Sequence, residues 1–249
     1  MSKRPEKIPT ARLDRLLANL GYGSRRLVQA IIAAGAVTLD GDVLTKAEGH
    51  IALSPDLSAR MTVDGVPLDP LPPLTLIMHK PLGIVCSHKE PGQSIYELLP
   101  PRWARRDPVL STVGRLDKDT SGLLLLTDDG GLLHRIISPK AEIAKRYHVT
   151  LDRPLAGDEA ALFASGTLKL PDEDKPLLPA NLEVIAENVC WLTITEGRYH
   201  QVRRMFESVG NCVSALHRDR IGGLDLPRDL PPGAYRPLNG EELKAVIGA

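Results

Sequence analysis

The sequence contains few cysteines and few aromatic residues, and it has no long apolar run. Its three cysteines, Cys86, Cys190 and Cys212, form no C-x-x-C pair, so neither a disulfide framework nor a zinc site is expected. No segment approaches the length of a membrane span, and the polar start MSKRPEKIPT lacks the apolar part of a signal peptide. These absences favour a reducing cytoplasm as the location and a protein without membrane contact.

Several motifs of common enzymes are also missing. The chain has no P-loop pattern, no G-x-G-x-x-G, no H-E-x-x-H and no G-x-S-x-G, which argues against the nucleotide-binding enzymes, zinc proteases and serine hydrolases that use them. The histidines and cysteines never reach the spacing of metal ligands, and His200 and His217 could ligate together only through the fold. We therefore expect neither a metal nor a cofactor.

Charge is balanced over the whole chain but distributed unevenly. The 31 Lys and Arg residues equal the 31 Asp and Glu residues, which argues against a histone-like nucleic-acid binder. Residues 1–30 nevertheless carry seven basic residues against two acids, and residues 40–70 carry six acids against two bases. A cationic end indicates a polyanionic partner, although an ordinary solvated surface would explain the same pattern.

Residues 11–68 have the pattern of a small separate module. Leucines at positions 13, 16, 17 and 20 predict an amphipathic helix that ends at Gly21, and Ser24 then caps a second helix that ends at Gly35. The segment AVTLDGDVL predicts a hairpin around Asp40-Gly41. We therefore predict two short helices followed by a β-hairpin.

Arg25 and Arg26 lie in the first turn of the second predicted helix, where positive charge opposes the helix dipole. A phosphate bound at the free N–H groups of that turn would explain them. Two short helices with these arginines, followed by VTLDGDVL, resemble the S4 RNA-binding domain. The resemblance implies a module that anchors a second activity to structured RNA, with Arg12, Arg25 and Arg26 as contacts. The alternative is a helical cap on the next domain.

The prolines of residues 69–74 predict a stiff, extended linker. Over residues 75–249, strand and helix patterns alternate without the regular repeat of a Rossmann domain. We predict a surface loop over 170–179. Strands are predicted within 74–81, 122–130, 145–151, 181–187 and 189–197, and helices within 94–100, 157–166, 199–210 and 241–248. The expected fold class is α+β, with a mixed, largely antiparallel sheet after the S4-like module.

Two carboxylates and two cations precede the apolar strand in GRLDKDTSGLLLLTDDG, where core packing requires none of them. In TEGRYHQVRRMFESVG, the apolar positions 202, 205, 206 and 209 form one stripe of a helix. Arg203 borders this stripe, so we expect it to reach a partly buried carboxylate and to stabilise its ionised form. Arg204 points nearly opposite the stripe, toward solvent or phosphate.

The segments GRLDKDTSGLLLLTDDG, KRYHVTL and EGRYHQVRRMF, in this order, resemble the three motifs of pseudouridine synthases. Preceded by an S4-like module, they are similar to the RsuA family, which isomerises uridine in ribosomal RNA. KPLGIVCS, LHRDRIGGLDL and LPPGAYRPL extend the resemblance over nearly the whole chain. The pair Tyr199-His200 looks like the small-subunit enzymes, because large-subunit relatives more often carry Asn-Arg there.

The resemblance implies a catalytic role for three residues: Asp117 as the catalytic aspartate, Tyr147 as a ring that stacks on the target base, and Arg203 as the basic residue opposite the aspartate, which keeps the carboxylate charged. Arg115 and the turn at 120–122 would shape the loop, while Asp119, the rival carboxylate, is expected to face solvent. The further RNA contacts that we expect in this domain are Arg115, Arg198, His200 and Arg204.

The implied reaction isomerises one uridine of 16S rRNA, free or in a small-subunit assembly intermediate, by a monomer without a cofactor. Asp117 would add covalently to the sugar or the base, or would remove a sugar proton to form a glycal. The alternatives are a 23S rRNA enzyme of the same family and a non-catalytic S4-domain RNA-binding or ribosome-assembly factor. An S4-bearing aminoacyl-tRNA synthetase is a weaker alternative, because the nucleotide-binding motifs are missing.

Overall fold

The computed structural model describes residues 8–87 and 90–248, which form two compact units. The first unit takes in the described residues up to Leu74 together with Leu99–Leu110, and the second takes in the rest. Lys3, Arg4 and Lys7 of the predicted cationic end lie outside the described residues. Across the described part of the chain, none of the helices has the length and apolar character needed to cross a membrane.

The first unit packs short helices against short strands. Its elements are β1 (Thr10–Arg12), α1 (Leu13–Asn19), α2 (Arg25–Ala33), β2 (Val37–Leu39), β3 (Asp42–Val43), β4 (His50–Ala52), α3 (Leu57–Arg60), β5 (Met61–Val63) and β6 (Val66–Pro67). β1 pairs with β4, and the strands β3-β2-β5-β6 form an antiparallel sheet. Both predicted helices and the hairpin are confirmed. Ser24 caps α2 by accepting a hydrogen bond from the Leu27 N–H, and Asp40 and Gly41 make the hairpin turn at φ 54° and 90°.

The segment Leu99–Leu110 completes the first unit through polar contacts. Its 3₁₀-helix, Pro101–Arg105, carries Arg102, which binds the buried Asp69 carboxylate through two hydrogen bonds of 2.6 Å. The guanidinium of Arg102 also lies 5.2 Å from the centre of the Tyr22 ring. The proline-rich stretch therefore begins with a buried, ion-paired residue. The boundaries 11–68, 69–74 and 75–249 stay predictions.

The second unit is built around one large sheet. Its elements are β7 (Thr75–Lys80), β8 (Ser111–Thr112), β9 (Thr120–Thr127), α4 (Gly130–Ile137), β10 (Lys145–Leu151), α5 (Glu159–Ala164), β11 (Asn181–Ala186), β12 (Val189–Ile194), α6 (Gln201–Ser208), β13 (Val213–Ile221), β14 (Leu224–Asp225), β15 (Tyr235–Pro237) and α7 (Gly240–Ile247). Among the described residues the sheet order is β11-β12-β10-β13-β9-β7-β15, with β14 on β13 and β8 on β9. β9 and β13 are parallel and the other described pairs are antiparallel. The predicted α+β class with a mixed, largely antiparallel sheet is confirmed.

Most predicted elements of this unit occur in the structure. All the predicted strands and three of the predicted helices are present, and the loop at 170–179 is confirmed. The segment predicted as a helix at 94–100 forms only a 3₁₀ turn, Ile95–Leu98. The helix α4 and the strands β8, β13, β14 and β15 were not predicted. The turn expected at 120–122 is also wrong, because these residues already belong to β9.

One row of residues crosses the centre of this sheet on a single face. Lys80 of β7 stands opposite Gly122 of β9, Gly122 stands opposite Arg218 of β13, and Arg218 stands opposite Tyr147 of β10. Gly122 has φ +113°, and a Cβ there would lie 2.7 Å from the Arg218 backbone nitrogen and still closer to its carbonyl oxygen. Only glycine fits this close approach of two backbones.

We predict that Gly122→Ala lowers the free energy of unfolding by roughly 2–5 kcal/mol, because the new Cβ forces β9 and β13 apart and adopts a strained φ. Urea denaturation measures the change. Gly130→Ala is the matched control: a Cβ there meets nothing within 4 Å, so its unfolding midpoint should match that of the unaltered protein. Equal midpoints for both variants would contradict the packing argument.

Candidate active site

The loop before β9 presents Asp117 to two residues from the start of α6. The Thr120 N–H donates to the Asp117 carbonyl oxygen at 3.1 Å and closes the loop. The Asp117 carboxylate, 30% exposed, lies 3.4 Å from His200 Nε2 and 4.0 Å from Arg203 Nε. The structure thus brings Asp117 together with His200 and Arg203, which follow it in the sequence by more than 80 positions.

Arg203 is fixed by backbone acceptors on two sides. Its Nη1 donates to the Val213 carbonyl oxygen at 3.0 Å, and its Nη2 donates to the Asp119 carbonyl oxygen at 3.2 Å. Nη2 also lies 3.1 Å from the Asp119 carboxylate, which is 70% exposed as predicted. The Nε atom is buried and has no hydrogen-bond partner among the described residues. Arg203 therefore keeps one donor free beside Asp117.

An aromatic pair stands at the same carboxylate. His200 adopts a left-handed backbone at φ 49°, a conformation that is strained for a residue other than glycine. Its ring stacks on Tyr199 with 3.9 Å between centroids and 15° between planes. Tyr199 is 71% exposed, so the pair offers a flat aromatic surface to solvent next to Asp117.

Tyr147 lies on the sheet near this loop. Its ring is buried, and its hydroxyl accepts a hydrogen bond from Arg218 Nη1 at 3.4 Å. The strand β13 separates Tyr147 from Gly122, so Tyr147 is two strand spacings, about 10 Å, from Gly122, which stands two positions after the first residue of β9. The register therefore places the predicted tyrosine and the predicted aspartate in one region of the second unit.

Lys80 holds the backbone of the Asp117 loop. The residue is completely buried, and its Nζ donates to the carbonyl oxygens of Thr120 at 2.8 Å, Pro81 at 3.0 Å and Lys118 at 3.5 Å. Burial lowers the pKa of the Lys80 ammonium, and negative groups nearby, including Asp117, partly offset that effect. A buried cation that binds three carbonyl oxygens is a rigid anchor for the loop.

The other arginines predicted in this domain are engaged elsewhere. Arg204 is only 21% exposed, because it binds the Glu173 carboxylate at 3.0 Å and the Pro171 carbonyl oxygen at 2.6 Å. The expectation that Arg204 points into solvent is therefore wrong: the loop at 170–179 folds over it. Arg198 binds the same loop through Glu173 and two carbonyl oxygens. Arg115 is 63% exposed and lies 3.5 Å from Glu90, so its described ion pair is not with Asp117.

The three arginines of the first unit that we predicted as RNA contacts differ in whether a carboxylate already binds them. Arg12 is bound by Asp14 through two hydrogen bonds, of 2.9 and 3.1 Å. Arg25 and Arg26 are exposed in the first turn of α2, and neither forms an ion pair with a described residue. Both side chains are therefore exposed at the start of the helix, and their contact with a phosphate stays a prediction.

An open pocket of about 550 Å³ adjoins the other side of the Asp117 loop. Lys118, Asp119, Ser121, His148 and His217 contribute to its lining. Strand alternation turns these β9, β10 and β13 side chains away from Gly122, Tyr147 and Arg218. Ser121 Oγ and His217 Nδ1 share a hydrogen bond of 2.9 Å, and burial lowers the pKa of His217.

Among the described residues no cluster of His, Cys, Asp and Glu could hold a metal ion.

For two residues of the site, the sequence alone predicted no role. Lys80 is part of KPLGIVCS, and Arg218 is part of LHRDRIGGLDL, both noted only for their resemblance to the family. A signal for Arg218 exists, because it stands two positions after Leu216 and so falls on the same buried face of a strand. That signal is usable only once β13 is identified as a strand.

The comparisons with known proteins agree with this architecture. Residues 75–208 match the family described as RNA pseudouridylate synthase, and residues 11–48 match the S4 domain. The chain is 44% identical over 238 residues to the ribosomal small subunit pseudouridine synthase A of Yersinia pestis, with 94% of this chain and 97% of that protein covered. It is 43% identical over 240 residues to the protein of the same name from Escherichia coli K12, with 95% and 100% covered. A crystal structure of a pseudouridylate synthase matches with a TM-score of 0.66 and 36% identity, over 94% of this chain and 99% of that one.

We predict that Lys80→Met speeds amide hydrogen exchange in the Asp117 loop by at least about tenfold, because three carbonyl oxygens lose their shared donor and the loop opens locally. Exchange measured by mass spectrometry on a peptide spanning 114–122 reports this change. Lys118→Met is the matched control, since its ammonium is exposed in the same loop. Faster exchange in both variants, or in neither, would show that Lys80 does not anchor the loop.

Proposed function

The chain belongs to the RNA pseudouridylate synthase family, and we propose that it converts one uridine of small-subunit ribosomal RNA to pseudouridine. Support for the substrate comes from two relatives that bear a small-subunit name and align with nearly the whole chain at 43–44% identity. The exposed Tyr199-His200 pair beside Asp117 is the feature of the sequence that favours 16S over 23S rRNA.

The observation that carries the mechanism is the contact of Asp117 with His200 and Arg203. Uridine and pseudouridine are isomers, so the reaction breaks the N1–C1′ bond, rotates the uracil and joins C5 to C1′. Asp117 is the carboxylate that acts on the nucleotide, either as a nucleophile or as the base that forms a glycal. Arg203 holds its guanidinium beside Asp117, with the Nε 4.0 Å from Oδ2, and balances the charge of the carboxylate.

The base must leave its stack to reach Asp117. We assign Tyr147 the role of holding the detached uracil by stacking, which contributes about 1–3 kcal/mol per base in nucleic-acid sites. The first unit binds the flanking RNA through Arg25 and Arg26, whose side chains lie at the N-terminus of the capped helix α2. Phosphate contacts of this kind position RNA without reading its sequence.

We further propose that the protein acts as a monomer in the cytoplasm. The site contains Asp117, Tyr147, Arg203 and Lys80 from one chain. The three cysteines are unpaired, two of them buried, as in proteins of reducing compartments.

We predict that Asp117→Asn abolishes pseudouridine formation, with a loss of at least about 10³-fold, while RNA affinity changes little, because the amide keeps the shape of the side chain but cannot act as nucleophile or base. Asp119→Asn is the matched control and should retain activity within about tenfold. The measurement is the rate of pseudouridine formation in 16S and 23S rRNA from cells that lack the gene. An active Asp117→Asn enzyme would refute the assignment, and modification of 23S rRNA alone would refute the choice of subunit.

We predict that Arg25→Ala with Arg26→Ala weakens rRNA binding and flattens the slope of log affinity against log salt by about one to two, since each lost phosphate contact contributes about 0.7–0.9. Affinity is measured across a salt series. Arg60→Ala is the control, because Asp40 already neutralises Arg60 at 2.6 Å, and its slope should not change. An unchanged slope in the double variant would exclude phosphate contacts, and a different modified uridine would show that the first unit selects the target.

A further inference from the structure

Arg218, in the central strand β13, is a buried cation with an unused donor. The residue is only 2% exposed, and the described ion pairs do not include it. Its Nε donates to the Leu123 carbonyl oxygen at 2.9 Å and its Nη1 to the Tyr147 hydroxyl at 3.4 Å. Nη2 is buried without a hydrogen-bond partner among the described residues. Because an unpaired buried charge is costly, such a group calls for a functional explanation.

The position of Arg218 connects it to the reaction. It stands opposite Tyr147 on one side and opposite Gly122 on the other. Gly122 follows two positions after Thr120, whose N–H closes the Asp117 loop. The unused donor therefore lies on the sheet face that carries Tyr147, close to the point at which the Asp117 loop enters β9.

We propose that Arg218 binds the carbonyl oxygens of the target uracil through Nη2 and stabilises the negative charge that the base acquires when it leaves the sugar. This inference rests on the proposed function, and it assigns a second group that touches the base besides the Tyr147 ring. The charged donor sits in a buried site, where it stabilises a developing anion far more than it would in water.

The isomerisation itself requires such a donor to serve two acceptors. When the N1–C1′ bond breaks, its electron pair stays with the base, and N1, O2 and O4 share the charge. The uracil then makes a half-turn about the axis through N3 and C6, which exchanges N1 with C5 and O2 with O4. A donor that faces one carbonyl before the rotation faces the other afterwards. Meanwhile C1′ is bonded to Asp117 or, once Asp117 has taken the C2′ proton, is part of the glycal double bond. C5 then bonds to C1′ as the bond to Asp117 breaks or the proton returns to C2′. C5 gives up its own proton and N1 takes one up, so the atoms balance without a co-reactant.

A base is a better ligand for Arg218 than an RNA phosphate. Phosphates are strongly hydrated and favour exposed cations, of the kind that Arg25 and Arg26 present on α2. Arg218, in contrast, is buried, and the side chain to which it donates a hydrogen bond is the aromatic Tyr147. A planar, weakly hydrated uracil that stacks on that ring would reach Nη2 with a carbonyl oxygen.

The test compares single-turnover rates at saturating RNA on three synthetic fragments around the modified uridine. The target nucleotide is uridine, 2-thiouridine or 4-thiouridine, because sulfur accepts hydrogen bonds more weakly than oxygen. We expect Arg218→Gln to slow the uridine reaction by about 10²–10³-fold, with RNA affinity within about threefold. In the unaltered enzyme, each thio substitution should slow the reaction by about tenfold, which we call the thio penalty. In Arg218→Gln the penalty should be less than about twofold, because the hydrogen bond that sulfur would weaken is already lost.

Arg220→Gln is the matched control, since Arg220 lies on the same strand but is ion-paired with Asp225 at 2.5 Å. It should show the same thio penalties as the unaltered enzyme. If urea denaturation shows that Arg218→Gln is unfolded, Arg218→Lys replaces it and should retain a reduced penalty.

Three results would overturn the inference while leaving the proposed function intact. Full thio penalties in the Arg218 variant would mean that Arg218 only supports the sheet. Equal rates of the unaltered enzyme on all three RNAs would mean that the carbonyl oxygens are not bound. A salt slope lower by about one in Arg218→Gln would identify a phosphate contact instead. Absence of turnover by the unaltered enzyme on every RNA would refute the proposed function itself.

Discussion

The close approach of β9 and β13 at Gly122 is the constraint on which the site depends. β13 begins at Val213, whose carbonyl oxygen holds Arg203, and it continues to Arg218, which binds the Tyr147 hydroxyl. The parallel pairing of β13 with β9 therefore sets the position of both arginines relative to the Asp117 loop. A shift of one residue would turn Arg218 to the opposite face of the sheet. Glycine at 122 permits the register in which the site is assembled.

The cations of the second unit fall into two groups with different partners. Lys80 and Arg218 are buried and bind carbonyl or hydroxyl oxygens, which leave their positive charge uncancelled. Arg198 and Arg204, nearer the surface, are ion-paired with two carboxylates, Glu173 for both arginines and Glu196 for Arg198, and they hold a loop. The uncancelled positive charges of Lys80 and Arg218 are thus buried in the sheet near the Asp117 loop, whereas the charges nearer the surface are ion-paired. Such an arrangement favours an anion inside the site over one at its rim, because electrostatic interactions are stronger where water is excluded.

The sequence predicted the regular parts of the fold well because their signals are local. Leucine periodicity, the Ser24 cap and the Asp40-Gly41 turn each depend on a few neighbouring residues, and the structure has all three. β13 was not predicted as a strand because its buried face includes Arg218, and a charged residue ordinarily indicates a solvent-exposed position. The prediction that Arg204 points into solvent was wrong for a different reason. Helical periodicity describes one helix, whereas the loop that covers Arg204 lies about 30 positions earlier in the chain. Contacts of this kind depend on the complete fold.

The segment Leu99–Leu110 limits how the RNA-binding module of this protein can be exchanged for that of a relative. It lies inside the stretch that matches the synthase family, yet it packs with the first unit, where Arg102 neutralises the buried Asp69 carboxylate. A chimera joined by one crossover at residue 74 would pair a foreign RNA-binding module with this native segment. The buried carboxylate and the arginine would then come from different parents. Exchange of the module therefore needs two coordinated replacements, and the two stretches are expected to have changed together during evolution.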